Sequence, residues 1–299
     1  MGNPPSTPQV APARISLTIP PVYFSFYGTF LGDEVSVIKI GTSGFSFPDW
    51  KGTVYPKEIK DRDMLSFYER ELGFKTLEVN FTYYTLPSPN SFIGMSRKTS
   101  EDFEFVVKCF KGMTHEIRDK ATKRIIDNRE VFEKFLYSLK PLVVERKLGC
   151  ILAQFPYSFF PNRESFTYLR SFKERLGEIP LVVEFRNIYW LKDSTFSFLE
   201  DIGIGYCVVD EPKLPKLMPF IPRATSDLGY FRMHGRNPNW FNVPTSVRYD
   251  YLYNEDELRS FVQPIREIEA RTGKTLIFFN NCHGGSAARN ALELLRMFS

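Results

Sequence analysis

The chain has few cysteines, and it lacks an apolar run long enough to cross a membrane. Its four cysteines, at positions 109, 150, 207 and 282, are spread over 299 residues and form no C-x-x-C pair. This usage is typical of reduced thiols in a cytoplasmic protein and argues against a disulfide framework. The apolar aromatic run at residues 22–31 is too short to span a bilayer. We therefore predict a cytoplasmic protein with no membrane partner.

Secondary-structure patterns are missing from the first 36 residues. Met1 to Pro21 contains six prolines and one charged side chain, Arg14. Proline has no backbone N–H and fits poorly inside helices or central strands. We predict a flexible, proline-rich leader over residues 1–36 and a single domain over residues 37–299.

Composition leaves several function classes open. Hydrophobic residues make up 43% and charged residues 25%, values typical of a soluble globular protein. The net charge of +4 permits an anionic substrate or nucleic acid without requiring one. Aromatic residues are abundant at 16%, and they suit either a packed core or an aromatic cleft.

Eight short apolar runs, each five to seven residues long, alternate with amphipathic segments. This length and pattern are typical of buried parallel strands. Eight strand–helix units in one chain predict an α/β fold, a single (β/α)₈ TIM barrel. The alternative, an open doubly wound sheet, requires a G-x-G-x-x-G turn after the first strand, and that turn is absent. The runs are Val37–Gly41, Thr76–Phe81, Phe103–Cys109, Gly149–Phe155, Leu181–Phe185, Ile204–Val209, Gly229–Met233 and Thr275–Phe279.

The clearest helical patterns follow five of these runs. Apolar residues recur in them at three- and four-residue spacing, and two of them open with a polar cap, Asp61 and Asn162. The predicted helices are Asp61–Leu72, Ile126–Glu145, Asn162–Leu176, Asn254–Thr272 and Ser286–Phe298.

Polar residues collect at the ends of the predicted strands, where the active sites of TIM barrels lie. Several recur with a period of two, which places each set on one face of its strand. We expect that face to be the barrel lumen. The sets are Glu78-x-Asn80, Glu184-x-Arg186 and Arg232-x-His234-x-Arg236, and Lys108, Gln154, Asp210 and Asn280 occupy equivalent ends. The three histidines, His115, His234 and His283, follow strands 3, 7 and 8.

Strands 7 and 8 end in a pattern that favours anion binding. TIM barrels often hold phosphate on the loops after these strands and on a helix N-terminus. Arg232 and Arg236 can supply bidentate contacts, and Gly284-Gly285 lets backbone N–H groups approach an anion. We place Asn280, Asn281 and His283 in the same site. The alternative is that the arginines pair with barrel carboxylates and the glycines only turn the chain.

Three carboxylates are candidates for acid–base chemistry. Glu78, Glu184 and Asp210 end strands 2, 5 and 6, close to Lys108 and Arg186. A mixed cluster in a confined site separates pKa values for acid and base roles. The alternative is a static salt-bridge network that closes the top of the barrel.

The same residues include metal-ligand types, but the histidines lack local ligand spacing and several cations lie nearby. We predict no metal site and no cofactor, with a single divalent ion as the alternative. The aromatic residues of the same loops are candidates for stacking on a base or sugar, and Tyr249 to Tyr253 for a lid.

These strand-end motifs resemble the YecE-like family, a bacterial and archaeal TIM-barrel domain of unknown function. The resemblance runs from about Ile38 to the C-terminus. It includes the run from Gly41 to Phe45, the run from Glu78 to Tyr84, and Arg232-x-His234-Gly235-Arg236. It implies the fold and the location of a site, without a reaction.

We infer an enzyme acting on a phosphate-bearing substrate, such as a nucleic acid, nucleotide or sugar phosphate, by hydrolysis or elimination. Glu78, Glu184 or Asp210 would act as the base and His234 as the acid. Lys108, Arg186, Arg232 and Arg236 would hold the anion, with Asn80, His115 and Gln154 also in the site. The alternatives are a sugar isomerase or epimerase and a non-catalytic nucleic-acid-binding module. No protein partner is inferred.

Overall fold

The computed structural model describes residues 36–298, in which eight parallel strands form one sheet. All eight predicted strands are confirmed, with ends within two residues of those expected. They are β1 (Val37–Thr42), β2 (Thr76–Val79), β3 (Glu104–Lys108), β4 (Leu148–Gln154), β5 (Leu181–Glu184), β6 (Gly205–Asp210), β7 (Leu228–Met233) and β8 (Lys274–Phe279).

Helices follow most of the strands. The described residues contain α1 (Met64–Arg70), α2 (Pro89–Ser96), α3 (Arg129–Val144), α4 (Arg163–Leu176), α5 (Asp193–Asp201), α6 (Thr245–Arg248), α7 (Glu255–Glu269) and α8 (Ser286–Phe298). The predicted cap of α4 is confirmed, because the Asn162 side chain accepts a hydrogen bond from the Ser165 N–H at 2.9 Å.

The strand order is that of a TIM barrel. Each strand pairs in parallel with its sequence neighbours from β2 to β8, and β8 pairs with β1. The remaining seam, between β1 and β2, is joined by the Gly44 N–H, which donates to the Glu78 carbonyl at 2.9 Å. A side chain at Gly41 would place its Cβ 2.3 Å from the Thr76 carbonyl oxygen. Glycine at this position therefore lets the two strands approach. The predicted (β/α)₈ fold is confirmed.

The helical layer differs from the prediction in four places. The sequence patterns did not identify α2, α5 or α6. The first two are short and rich in serine, threonine or glycine, residues of modest helix propensity, and α6 has only four residues. Between β6 and β7, residues 211–227 contain no helix. Four prolines, at positions 212, 215, 219 and 222, account for this, because proline removes a helical donor and clashes with the preceding turn.

Many of the aromatic residues fill the core. Phe185, Trp190, Phe159 and Phe155 form a continuous stack with neighbouring ring centroids 4.1, 5.4 and 4.1 Å apart. All four are buried between the sheet and the surrounding loops and helices. Such stacks contribute packing beyond simple area burial, and they fix the positions of the loops after β4 and β5.

No helix in the described part of the chain is long and apolar enough to cross a membrane. Residues 1–35 of the predicted leader lie outside the described residues, so its flexibility stays a prediction.

Candidate functional site

A buried arginine joins two strand-end carboxylates inside the barrel. Arg232 on β7 donates to Glu78 on β2 through Nε at 2.9 Å and Nη2 at 2.7 Å. Its Nη1 donates to Oε2 of Glu184 on β5. The Tyr230 hydroxyl adds a donor to Glu78 at 2.7 Å. Arg232 is only 1% exposed and both carboxylates are fully buried. The period-two pattern therefore does place these side chains in the lumen, where they neutralise one another.

Glu184 has a second set of neighbours. Its Oε1 lies 2.6 Å from Nε of Arg186 and 3.3 Å from Nε2 of His234. Neither contact has the angle of a hydrogen bond. Burial alone would raise the pKa of Glu184, but the guanidinium groups of Arg186 and Arg232 lower it well below its usual range. Glu184 is therefore an anion at neutral pH.

His234 is a neutral, buried partner of this group. Burial, reinforced by Arg186, lowers the pKa of His234 to about 3. Its Nδ1 lies 2.9 Å from Nδ2 of Asn280, which can only donate, so the ring proton sits on Nε2, facing Glu184. This geometry suits orientation of the carboxylate rather than donation of a proton to a substrate.

A cavity of about 860 Å³ opens above this cluster at the carboxyl ends of the strands. We call it the mouth cavity. Nine of the fourteen predicted site residues line it. They are Glu78, Asn80, Lys108, His115, Gln154, Arg186, Arg232, Asn280 and His283. The other five, Glu184, Asp210, His234, Arg236 and Asn281, do not.

Lys108, at the end of β3, presents its amine to the mouth cavity. Nζ donates to Oε1 of Gln154 at 2.8 Å and lies 4.6 Å from the centre of the Tyr83 ring. No carboxylate oxygen within residues 36–298 lies within 4 Å of Nζ. Burial lowers the pKa of Lys108 to about 8, and the charge of Arg232 adds to this effect.

Two arginines complete the cationic side of the mouth cavity. Arg186 is held by Glu184 and by Glu211, whose Oε2 accepts from Nη1 at 3.1 Å. Burial raises the pKa of Glu211 to about 7 despite this contact. Arg248 on α6 donates from Nε to the Trp240 carbonyl at 2.8 Å. Like Lys108, Arg248 has no carboxylate within 4 Å in the described residues.

Asp210 and Arg236 lie on the other face of the sheet. Arg236 clasps Asp210 through Nε and Nη2, at 2.8 to 3.1 Å, and its Nη1 reaches Glu257 on α7 at 3.1 Å. On β6 it is Cys207 that lies beside Glu184 in the lumen, so strand alternation turns Asp210 towards the helices. This corrects the expectation that Asp210 faces the lumen.

The Gly284-Gly285 turn after β8, predicted to bind an anion, already binds a carboxylate of the protein. The Gly284 N–H donates to Oδ2 of Asp49 at 2.7 Å, and His283 lies 3.8 Å from the same oxygen. Of the predicted anion ligands, Arg232, Arg236 and the Gly284 N–H are therefore engaged by protein carboxylates. The alternative of internal pairing describes their geometry. Among the described residues, it leaves Lys108 and Arg248 as the cations that face the cavity without a carboxylate partner.

The remaining predicted residues are amides and a histidine. Asn80 lines the mouth cavity with a buried Oδ1 that has no hydrogen-bond donor among the described residues. Gln154 donates to the Phe155 carbonyl at 2.9 Å while accepting from Lys108. Asn281 is buried and donates to the Tyr251 carbonyl and to Asn290, a structural role.

His115 packs edge-on against Tyr83 at 4.9 Å between ring centroids and contacts the Thr114 hydroxyl through Nδ1. Burial, with Lys108 next in importance, lowers the pKa of His115 to about 4, so it is neutral at neutral pH.

The sequence patterns missed Arg248, Asp49 and Glu211 as parts of this site. Arg248 and Asp49 lie several residues beyond a strand end, where strand periodicity carries no signal. Glu211 directly follows Asp210 in an Asp-Glu-Pro motif, and that adjacency was the only signal available. Within residues 36–298, no group of three or more histidine, cysteine, aspartate or glutamate side chains could hold a metal ion.

Fold and site together define a TIM-barrel protein with a polar, partly cationic cavity at the carboxyl ends of its strands. Residues 39–299 match a family model described as protein of unknown function DUF72, and the chain belongs to this family. The predicted resemblance is thus confirmed for a TIM-barrel family without an assigned function, and the YecE-like name stays a prediction.

Solved structures and a curated relative support this assignment. A DUF72 family protein from Thermotoga maritima is 45% identical, with a TM-score of 0.82 over 88% of this chain and 99% of that one. A DUF72 family protein from Enterococcus faecalis is 27% identical, with a TM-score of 0.76 over 87% and 94% of the two chains. UPF0759 protein YunF of Bacillus subtilis is 31% identical over 273 residues, covering 87% of this chain and 94% of the relative.

Proposed function

We propose that the protein is an enzyme that acts on a phosphate-bearing substrate in the mouth cavity, by hydrolysis or elimination. One observation carries the proposal. Lys108 and Arg248 face the cavity with no carboxylate within 4 Å in residues 36–298, although the barrel neutralises Arg232 and Arg236 internally. Cations left without a counter-ion in a partly enclosed cavity favour a ligand that supplies one.

The guanidinium groups are the anion-holding groups in this proposal. Arg186 is fixed by Glu184 and Glu211, so little side-chain freedom is lost when it binds a ligand. Arg248 donates from Nε to the Trp240 carbonyl, and its guanidinium carbon lies 5.7 Å from the centre of the Trp240 ring. Its Nη atoms make no hydrogen bond within residues 36–298 and are left for a phosphate. Charge-assisted bonds of this kind suit the planar, forked guanidinium group.

Proton transfer is assigned to groups that line the cavity. Lys108, with a pKa of about 8, exchanges its proton near neutral pH. Two carboxylates line the cavity within residues 36–298, Glu78 and Asp49, and we assign the proton transfer to Glu78 because Asp49 accepts from the Gly284 N–H on the loop after β8. Glu184 and His234 do not line the mouth cavity, and they act as positioning residues for Arg186 and Arg232, which do. This division replaces the expected roles of His234 as the acid and Asp210 as a base.

Aromatic rings offer a surface for the rest of the substrate. Tyr83, Trp240 and Tyr249 line the mouth cavity, and Tyr84 and Phe241 at its rim are 70% and 53% exposed. Exposed aromatic faces beside arginine suit stacking on a sugar or a base. A sugar phosphate and a nucleotide are therefore the substrates to test first.

A second candidate is an isomerase or epimerase that transfers protons without breaking the phosphate ester. The presence of both a carboxylate, Glu78, and an amine, Lys108, on the cavity wall favours it. Deuterium exchange from D₂O into the substrate, without phosphate release, distinguishes this reaction from hydrolysis or elimination.

The test is calorimetric titration of the full chain with inorganic phosphate, sugar phosphates and mononucleotides, followed by assays for free phosphate and for deuterium uptake. Arg248→Ala should weaken phosphate binding about tenfold or more. Arg259→Ala, an exposed arginine paired with Glu255 on α7, is the matched control and should bind normally. If the parent protein binds none of these compounds at millimolar concentration, the proposal is wrong. Binding without turnover would favour the non-catalytic alternative.

A further inference from the structure

The amine of Lys108 has fewer hydrogen-bond acceptors than that of Lys147, another enclosed lysine of the barrel. Lys147 is 5% exposed and donates to three acceptors, the Ser96 and Thr99 carbonyls and the Thr99 hydroxyl, at 2.9 to 3.2 Å. Lys108 has one acceptor among the described residues, the Gln154 amide oxygen. A lysine placed for structure uses its three donors as Lys147 does. Lys108 instead keeps donor positions directed into the mouth cavity.

The surroundings of Lys108 also favour the uncharged amine. Burial lowers its pKa most, and the charges of Arg232 and Arg186 add to this effect. The carboxylates that oppose the shift, Glu184 and Glu78, are already bound to arginine. With a pKa of about 8, about a tenth of the molecules carry a neutral Lys108 at pH 7. Its neighbours Tyr83 and His115 are neutral at pH 7, so they supply no negative charge that would stabilise the protonated amine. A rigid strand end holds the amine in place.

We propose that Lys108 is a nucleophile that forms an imine with a carbonyl group of the substrate. The lone pair of neutral Nζ bonds to the carbonyl carbon, and the π electron pair of the carbonyl moves to its oxygen. Both protons of the amine pass to that oxygen, which leaves as water, and a C=N bond remains. Hydrolysis reverses the step, so no oxidant, reductant or cofactor is required. A protonated imine withdraws electrons from the neighbouring carbon, as eliminations next to a carbonyl require.

This inference deepens the proposed function and rests on it for the phosphate. The substrate class becomes a phosphate-bearing aldehyde or ketone, with its phosphate on Arg186 and Arg248 and its carbonyl carbon at Nζ. The buried Oδ1 of Asn80, which has no donor within residues 36–298, is available to accept a hydrogen bond from a substrate hydroxyl. Phosphate binding and imine formation are separate properties and can be measured separately.

The experiment traps the imine by reduction. The full chain is incubated at pH 7.5 with dihydroxyacetone or dihydroxyacetone phosphate, which differ only in the phosphate, and sodium borohydride is added. Hydride adds to the imine carbon and leaves a stable secondary amine, which peptide mass mapping locates. We expect the adduct on Lys108 to exceed that on Lys147 or the partly exposed Lys111 by roughly tenfold or more, because Lys147 uses its amine in three hydrogen bonds and Lys111 pairs with Glu116. The phosphorylated ketone should label at lower concentration than the neutral one.

Lys108→Arg keeps the charge but lacks the nucleophile, so it should lose the adduct and keep its thermal melting curve. Should this variant not fold, the distribution of label in the parent protein decides alone. Label confined to surface lysines, or retained in folded Lys108→Arg, overturns the imine. Label on Lys108 by both ketones equally, with no competition from inorganic phosphate, supports the imine and contradicts the phosphate proposal. Phosphate binding without label leaves the proposed function standing and overturns the nucleophile.

Discussion

Arg232 and Glu78 form a two-point contact across the interior of the barrel. The two residues are 154 positions apart in the chain, on β7 and β2, and each is held in a fixed orientation by parallel hydrogen bonds of 2.9 and 2.7 Å. Neither reaches bulk solvent. The contact therefore fills the lumen beneath the mouth cavity, and the two side chains form the bottom of that cavity.

Replacing Arg232 should be costly for stability. Arg232→Met leaves Glu78 buried without its arginine and Glu184 with Arg186 alone, and breaking a buried pair from one side costs about 3–5 kcal/mol. Urea unfolding followed by circular dichroism measures the free energy of unfolding. Arg259→Met, an exposed pair on α7, is the control and should change it by less than about 1 kcal/mol. Equal stability of the two variants would contradict the structural role of Arg232.

Arg236 and Arg248 should separate stability from anion binding. Arg236→Ala leaves the largely buried Asp210 without its arginine, so we expect a loss of about 1–3 kcal/mol in unfolding free energy and unchanged sulfate affinity. Arg248→Ala should do the reverse, with nearly unchanged stability and weaker sulfate binding. Thermal melts and calorimetric titration of both variants make the comparison. Weaker sulfate binding in Arg236→Ala would restore the anion site predicted after strands 7 and 8.

Sulfate affinity should fall as the pH rises through about 8. Lys108 loses its positive charge in that range, while sulfate and the arginines keep theirs, so the loss is attributable to the lysine. Lys108→Met should bind sulfate about tenfold more weakly at pH 7 and show no such decline up to pH 9. Titrations at several pH values test this, with Lys111→Met, a surface pair with Glu116, as the control. A decline that persists in Lys108→Met would assign it to another group.

His234 should make the protein less stable in acid. Unfolded His234 takes up a proton below about pH 6.5, whereas burial delays protonation in the folded protein to about pH 3. Unfolding is therefore favoured as the pH falls from 6.5 towards 3, by an amount on the order of a few kcal/mol. Glu211, with its raised pKa of about 7, acts in the opposite sense between about pH 4.5 and 7.

The difference between the parent protein and His234→Asn isolates the histidine from these other groups. Denaturant unfolding at pH 7, 6, 5 and 4 should show the parent losing stability relative to the variant. Parallel curves would mean that His234 is protonated in the folded state, and the orientation role assigned to it would be wrong.

The sequence by itself determined the barrel. Eight short apolar runs, such as Gly149–Phe155, are too apolar to face water on either side, and each is followed by a segment long enough to cover it. Parallel strands buried on both faces follow from that pattern. The period-two polar sets also located the carboxyl-end cavity, because alternation is a local property of a strand and survives whatever the loops do.

Only the tertiary structure decided which charged side chains pair with one another. Gly235, with φ of +88°, ends the alternation after His234, so Arg236 leaves the lumen face and joins Asp210. Arg248 reaches the mouth cavity from α6, beyond any strand periodicity. Asp49 takes the Gly284 N–H from 235 positions away. Pairing of this kind depends on three-dimensional distances between loops, and a charge carries no local sequence signal for its partner. The sequence could therefore supply the charged residues, while the fold decided which of them pair internally and which face the mouth cavity.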